Sequence, residues 1–295
     1  MPSITGVQRL RARLWLVASR IPWPVWWPVV AVGALVMSVV PNQPVRRWAR
    51  NHATITGRAT TRLDVVRGLW SWARNAVTSL QLVHWSSADF ERRAVMAPDD
   101  WRRLGEAMAA GGAVVGLPHS GCWDLAGAWV CQRGMPVSTV AEELVPAEFE
   151  VFVRLRERLG FTVYGHRDPR VLRHLVGDIG TGHLVCLMSD RDFSRRGIPV
   201  TWRTGSGDHR VTMPPGPAQV ALRSGATLFG VACHYEGRRM RIVVSEPLLA
   251  PPEASTHLAR VGAMTQQLCD FFSDQVRTHP HDWHMLQPFF DGDRR

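Results

Sequence analysis

Residues 111–124 read Gly111-Gly112-Ala113-Val114-Val115-Gly116-Leu117-Pro118-His119-Ser120-Gly121-Cys122-Trp123-Asp124. Two glycines close the helix before them, five apolar or small residues follow without a polar break, and Pro118 ends the run. A short apolar run between turn residues is the pattern of a strand buried on both faces. A helix over 119–129 follows it. The same alternation continues outward. Upstream, 60–94 is helix-compatible, with Leu63, Val66, Leu69, Ala73, Val77 and Leu80 recurring at three and four, and 99–110 forms a shorter helix. Downstream, strands at 137–141, 161–164 and 183–188 alternate with helices at 149–159, from Asp168-Pro169, and, beyond a loop, at 217–224. Residues 226–235 and 240–245 pair about a turn at Glu236-Gly237, and a long helix spans 256–277. Strands alternating with helices predict an α/β fold, with a mixed, mainly parallel central sheet flanked by helices. Residues 51–295 read as a single domain.

Composition narrows the function. With 45% hydrophobic and 20% charged residues in 295, the chain is neither disordered nor repeat-dominated. All 35 basic residues are Arg; against 25 acids the net charge is +10. The absence of Lys excludes Schiff-base chemistry on a lysine, although GC-rich coding accounts equally well for it. Such a charge expects anionic partners: nucleic acid, coenzyme phosphates or an acidic lipid surface. No nucleic-acid-binding motif is present and the charge is diffuse, so nucleic acid is not favoured. Five cysteines (Cys122, Cys131, Cys186, Cys233, Cys269) are odd in number and never spaced as a pair with two residues between. That argues against a disulfide framework or zinc knuckle and expects a reducing, cytoplasmic interior.

The first fifty residues are hydrophobic and basic. Arg9, Arg11, Arg13 and Arg20 precede an uncharged run over 21–45, and Arg46, Arg47 and Arg50 follow. Pro22, Pro24 and Pro28 are expected to break the first third of that run, leaving about 12 helical residues over 29–40, or roughly 18 Å, against a hydrocarbon core of ~30 Å. Trp15, Trp23, Trp26, Trp27 and Trp48 are suited to headgroup depth. Residues 1–50 therefore read as a monotopic anchor on the cytoplasmic face of the inner membrane. The alternative is a hydrophobic hairpin buried on the protein's own core.

The chemistry-bearing pair is His119 and Asp124. Five positions apart, the two would sit on different sides of a regular helix, but they can meet if His119 lies on the strand-to-helix turn that Pro118 and Gly121 permit. A carboxylate against one imidazole nitrogen fixes the tautomer and raises the basicity of the other, the arrangement of a general base. Ser120 and Cys122 are weaker nucleophile candidates, since neither sits in a nucleophile elbow. His279, His281 and His284 crowd together, but without the partner set of a zinc site. Arg195, Arg196, Arg203 and Arg210 surround a Gly-rich loop and suit phosphates, or else a solvated face.

His119 followed by Asp124 after a buried strand resembles the signature of the glycerolipid acyltransferase superfamily. More narrowly, the chain is similar to the bacterial lipid A acyltransferases and their mycobacterial relatives, the phosphatidylinositol mannoside acyltransferases. The likeness extends over the hydrophobic N-terminus, Val140-Ala141-Glu142-Glu143-Leu144, Asp190-Arg191-Asp192, Met213-Pro214-Pro215-Gly216-Pro217-Ala218 and Asp282-Trp283-His284-Met285-Leu286-Gln287-Pro288. Asp190-Arg191-Asp192 departs from the Asp-Gln-Asp usual in the lipid A branch and leans to the mycobacterial one. The resemblance implies transfer of a long acyl chain, typically palmitoyl, from acyl-coenzyme A to a sugar hydroxyl of a phosphatidylinositol mannoside, without metal, other cofactor or acyl-enzyme. It implies His119 as base, Asp124 as its orienting acid, and a second acid, Asp190 or else Asp192, from a neighbouring strand end. Glu142, Arg154, Arg191, Asp192 and Arg210 become candidates for substrate binding, in a protein expected to be monomeric. A lipid A-type or lysophospholipid acyltransferase remains the alternative enzyme, and a basic membrane-binding protein the non-enzymatic one.

Overall fold

The computed structural model of the chain describes residues 17–40, 42–142, 146–192 and 197–290. Arg9, Arg11, Arg13, Trp15, Glu143, Leu144, Arg195 and Arg196 lie outside them. Nine strands are described. They are β1 (Ala94–Met96), β2 (Ala113–Leu117), β3 (Val137–Ala141), β4 (Phe161–Gly165), β5 (Leu184–Met188), β6 (Ile198–Thr204), β7 (Gly207–Met213), β8 (Thr227–Glu236) and β9 (Arg239–Val244). Seven form one sheet in the order β1-β9-β8-β2-β5-β3-β4, parallel throughout except for the antiparallel β8–β9 pair. The expected mixed, mainly parallel sheet is therefore present. The opening strand is β2, and all five of its residues are buried. Val114 faces one core cluster with Val185 and Leu228, whereas Ala113, Val115 and Leu117 face another with Leu125, Phe229 and Ile242. Alternate residues of an extended strand point to opposite faces, so two apolar layers sandwich the sheet.

The helices are α1 (Trp23–Val39), α2 (Gln43–Thr56), α3 (Arg62–Gln81), α4 (Ser87–Arg93), α5 (Pro98–Ala110), α6 (Trp123–Cys131), α7 (Pro146–Arg158), α8 (Val171–Gly180), α9 (Gly216–Ser224) and α10 (His257–Thr278). Their starts follow local chemistry. Capping boxes open α3 (Thr61 with Asp64) and α4 (Ser86 with Asp89), and Thr256 caps α10. The expected helix over 60–94 is thereby split at Gln81 and ends in β1.

Three further features differ from the sequence expectation. Helix α6 starts at Trp123 rather than at 119, because residues 118–122 are spent on the turn. Residues 198–213 form the β6–β7 hairpin instead of a loop. The N-terminal helix spans 17 residues, not 12: Pro22 and Pro24 occupy its cap and first turn, where no amide bond is lost, and Pro28 interrupts only one rung. At 1.5 Å per residue α1 is about 25 Å long. No single described helix is long and apolar enough to cross a membrane; α1 and α2 together pass by composition but are bent by 82° at their junction. Helix α2 is packed down, with Val45, Trp48 and Ile55 buried. Helix α1 is not. Ala34 is covered and Trp27 meets the edge of Trp70 on α3 at 6.0 Å, while Val25, Val29, Val32, Leu35, Val36 and Val39 are all exposed.

Candidate active site

Strands β2 and β5 pair in parallel, with Leu117 opposite Met188. Two residues further along each, His119 and Asp190 leave the same end of the sheet side by side. The His119 Nδ1 lies 2.6 Å from Asp190 Oδ1, and the His119 backbone N–H donates to Asp190 Oδ2 at 2.9 Å. The Trp283 indole N–H donates to the same oxygen at 2.9 Å. Asp190 is wholly buried. Burial by itself would raise its pKa, but the neighbouring His119 and the three donated hydrogen bonds outweigh that and hold the carboxyl below the ordinary range. An ionised carboxylate at Nδ1 directs the free lone pair of the ring to Nε2, and the His119 side chain keeps 23% exposure through which a substrate can reach it.

The turn carrying His119 is fixed from behind. Gly121 adopts φ +57°, and a Cβ there would lie 2.7 Å from the Cys233 backbone oxygen. Its N–H donates to the Asp282 carbonyl at 2.9 Å, and the His284 N–H donates to the His119 carbonyl at 2.8 Å. The segment 282–284 thus runs along the turn and delivers Trp283 to Asp190. Trp283 stacks on Trp202 of β6 at 5.7 Å and meets Phe289 edge-on at 4.9 Å. The hairpin thereby supplies the wall beneath the carboxylate. Trp283 and this aromatic support are not among the candidate site residues of the sequence, where the signal for them is the resemblance over 282–288.

Asp124 requires a correction. Among the described residues the His119 ring is held by Asp190, not by Asp124. Asp124 lies at the second position of α6 and is taken by Arg156 of α7, with Nε to Oδ1 at 2.8 Å and Nη2 to Oδ2 at 3.3 Å. Both side chains are mostly buried. The remaining candidates divide. Glu142 and Arg191 come together at 3.4 Å. Asp192 turns away to accept the Gly197 N–H at 2.8 Å, so it is not the acid at His119. Arg154 is exposed and pairs with Glu150 on its own helix, and Arg210 is exposed on β7 across from Thr201. Ser120 Oγ accepts the Cys233 N–H at 3.3 Å, and the fully buried Cys122 thiol is pushed up to about 12 by burial, so neither is set up as a nucleophile. All five cysteines are unpaired.

The three late histidines do not converge. His279 stacks on His234, His281 bonds Asp64, and His284 Nε2 meets Ser71 Oγ at 3.0 Å. A different trio, His52, Asp64 and His281, brings potential ligand atoms within 4.8 Å. Its carboxylate is already occupied by both Arg58 nitrogens and by Thr61.

Beside the His119 turn a narrow apolar slot runs between α6 and the sheet. It is tight, with a cavity volume of about 70 Å³. Val115, Leu117, Ala126, Val130 and Phe161 line it, and Asp124 and Arg156 stand at its polar end with Trp123. The Trp123 ring meets His119 edge-on at 5.4 Å.

The sequence profile described as bacterial lipid A biosynthesis acyltransferase matches residues 65–291. A phosphatidylinositol mannoside acyltransferase of Mycolicibacterium smegmatis is 41% identical over 201 residues, 66% of this chain and 62% of that protein. The protein of the same name from Mycobacterium tuberculosis is 40% identical over 191 residues, 63% of this chain and 57% of that one. The chain thus spans about three fifths of the length of these relatives. A profile match over most of the chain, on a fold that brings its signature histidine to a buried acid, means that the chain belongs to the bacterial lipid A biosynthesis acyltransferase family.

Proposed function

We propose that the protein is an acyltransferase that moves a long acyl chain, palmitoyl by the likeness to the mycobacterial branch, from acyl-coenzyme A to a mannose hydroxyl of a phosphatidylinositol mannoside. The observation that carries this reading is the His119–Asp190 pair beside a tight slot with apolar walls. The acyl chain lies in the slot with its thioester near Trp123, and the acceptor hydroxyl approaches His119 Nε2. An alcohol is too weak an acid to attack a thioester unaided at neutral pH, so a positioned base is needed. His119 takes the hydroxyl proton as the oxygen attacks the thioester carbonyl; the imidazolium formed is stabilised by Asp190. The tetrahedral intermediate then collapses, the carbon–sulfur bond breaks, and His119 returns the proton to the departing thiolate. The nucleophile is the substrate itself, so no acyl-enzyme forms and no metal is needed. The first turn of α6, whose backbone N–H groups lack helical acceptors, offers donors to the developing oxyanion. Asp124 serves as the anchor of Arg156 at the slot's polar end, and Glu142 with Arg191 borders the acceptor side.

The N-terminal segment acts as a monotopic anchor on the cytoplasmic face of the inner membrane through α1, whose exposed face lies in the acyl boundary with flanking arginines at anionic headgroups, whereas α2, with Val45 and Trp48 buried and the Trp48 indole N–H on the Trp283 carbonyl, belongs to the α/β domain. A monomer suffices for this chemistry. A matrix of acyl-coenzyme A donors against acceptors (mannosylated phosphatidylinositol, lysophospholipid and lipid A precursor), read by mass spectrometry, tests the assignment. Turnover with the mannosylated acceptor, lowered at least ~10²-fold by His119→Ala, is expected. Near-wild-type turnover in His119→Ala defeats the base assignment, and the absence of any free-thiol release with every pair makes the protein a binding module.

A further inference from the structure

A second pocket, of about 550 Å³, opens between α1, α3 and the segment 278–282. It shares no lining residue with the apolar slot. Trp27 of α1 and Trp70 of α3 line it together with Arg67 and Arg74 of α3, His279 and Asp282.

The charges of this pocket do not balance within the described residues. Arg74 has no carboxylate within ion-pair distance. Its two terminal nitrogens donate to the Gly237 and Arg238 carbonyls at 2.7 and 2.6 Å, and its guanidinium lies 3.8 Å above the Tyr235 ring. Burial depresses its pKa, the mark of a cation that the protein has desolvated without a full counter-charge. Arg67 is exposed and makes no ion pair or hydrogen bond among the described residues. The carboxylate that lines the pocket, Asp282, is already committed to the Ser71 hydroxyl at 2.6 Å and the Tyr235 N–H at 2.8 Å. Two guanidiniums therefore face one carboxylate with both oxygens in use. An anion with several acceptor oxygens would complete this set, and an Arg fork suits a phosphate. The apolar residues beside the pocket decide which phosphate. Val32, Leu35 and Val36 on α1 are exposed next to the turn that places Trp27 and Ala31 in the pocket wall. A ligand with a phosphodiester and adjoining alkyl chains would satisfy both sets of groups.

We infer that this pocket binds the phosphodiester headgroup of an anionic glycerophospholipid of the bilayer, seating the enzyme at a site distinct from the donor slot. The inference rests on the membrane-surface reading of α1 given above. It also has a geometric consequence. Asp282 lines the pocket while its carbonyl holds Gly121 and its neighbour Trp283 holds Asp190, so the headgroup sits against the same segment that braces the His119 turn.

The test is co-sedimentation of the full chain with vesicles of phosphatidylcholine alone and of phosphatidylcholine with phosphatidylglycerol. Wild type is compared with Arg67→Gln, with the equal charge change Arg223→Gln at an exposed position of α9, and with Val32→Asp/Leu35→Asp on α1. Arg67→Gln is expected to lower partitioning onto the anionic vesicles about fivefold, leave partitioning onto phosphatidylcholine unchanged, and exceed the effect of Arg223→Gln. Equal losses from Arg67→Gln and Arg223→Gln would mean diffuse attraction by net charge and overturn the site. If the α1 variant alone abolishes binding to both vesicle types and Arg67→Gln does nothing, the membrane reading stands and the headgroup site falls. Retention of full binding by the α1 variant removes the membrane reading itself, and this inference with it. Glycerol 3-phosphate and inorganic phosphate separate the sources: thermal stabilisation by either, abolished by Arg67→Gln and undiminished when vesicles are added, marks a soluble-phosphate site and overturns the lipid assignment.

Discussion

His284 is buried, and its pKa is lowered to about 3 by desolvation and by the neighbouring His119, with Asp190 opposing. The native state therefore keeps this ring neutral over a pH range in which the unfolded chain, with a pKa near 6.5, takes up a proton. Where the unfolded state binds more protons, stability rises with pH; stability is thus lost as pH falls from about 6.5 toward 3, by at most about 1.4 kcal/mol per pH unit for one such group. Denaturant unfolding between pH 7 and 5 should show wild type losing stability and His284→Gln, which removes the titrating ring and keeps an amide near the place of the Nε2 that meets Ser71, losing less. An unchanged slope would reassign the acid sensitivity to other groups. Gly121 gives a second residue-level test: Gly121→Ala combines a left-handed φ with a Cβ inside the Cys233 backbone, and should cost at least about 1–3 kcal/mol by denaturant unfolding. At this scale His119 was legible from a strand, a proline and a small turn. Its carboxylate partner was not legible from spacing, because the partner comes from a strand 71 residues away and is selected by register, Leu117 against Met188. The near acid, Asp124, looked closer along the chain, but Arg156 claims it across space.

Among the elements, α6 decides what the slot accepts. Ala126 and Gly127 present almost no side chain to the space between α6 and the sheet, and a Cβ on Gly127 would strike the Phe161 ring at 2.5 Å. Small residues on that face are what keep the slot open. Ala126→Leu should fill part of it and shift donor preference from palmitoyl- toward octanoyl-coenzyme A by at least ~10-fold in the ratio of kcat/KM, the scale of a few methylenes. An unchanged ratio would place the acyl chain elsewhere. The buried strands were readable because uninterrupted apolar runs between turn residues carry their own boundaries. The β6–β7 hairpin was not, although Ile198, Val200 and Trp202 alternate. Pro199 and the many Arg and Gly residues around it argue for a loop, and packing on α10 and under Trp283 holds it as a separate two-stranded sheet. Helix α1 was underestimated for a related reason: prolines at a helix start are permissive, and only the last of the three lies within the hydrogen-bonded body.

For the whole molecule, the net charge of +10 and the uncovered apolar face of α1 act together. On the proposed membrane reading, charge attracts the protein to an anionic surface and burial of α1 side chains fixes it there. High salt should therefore weaken capture by anionic vesicles without abolishing it, and complete release at high salt would leave α1 no part in binding. The central claim is that the family's base is completed by Asp190, supplied by the neighbouring strand, rather than by the acid of its own motif. The measurement that bears on it most directly is kcat for Asp190→Asn with palmitoyl-coenzyme A and a mannosylated phosphatidylinositol acceptor. Asn at this position preserves volume but can no longer accept Nδ1–H as a charge. A fall in kcat of about 10²–10⁴-fold with a nearly unchanged donor KM is predicted; a kcat close to wild type would contradict the account.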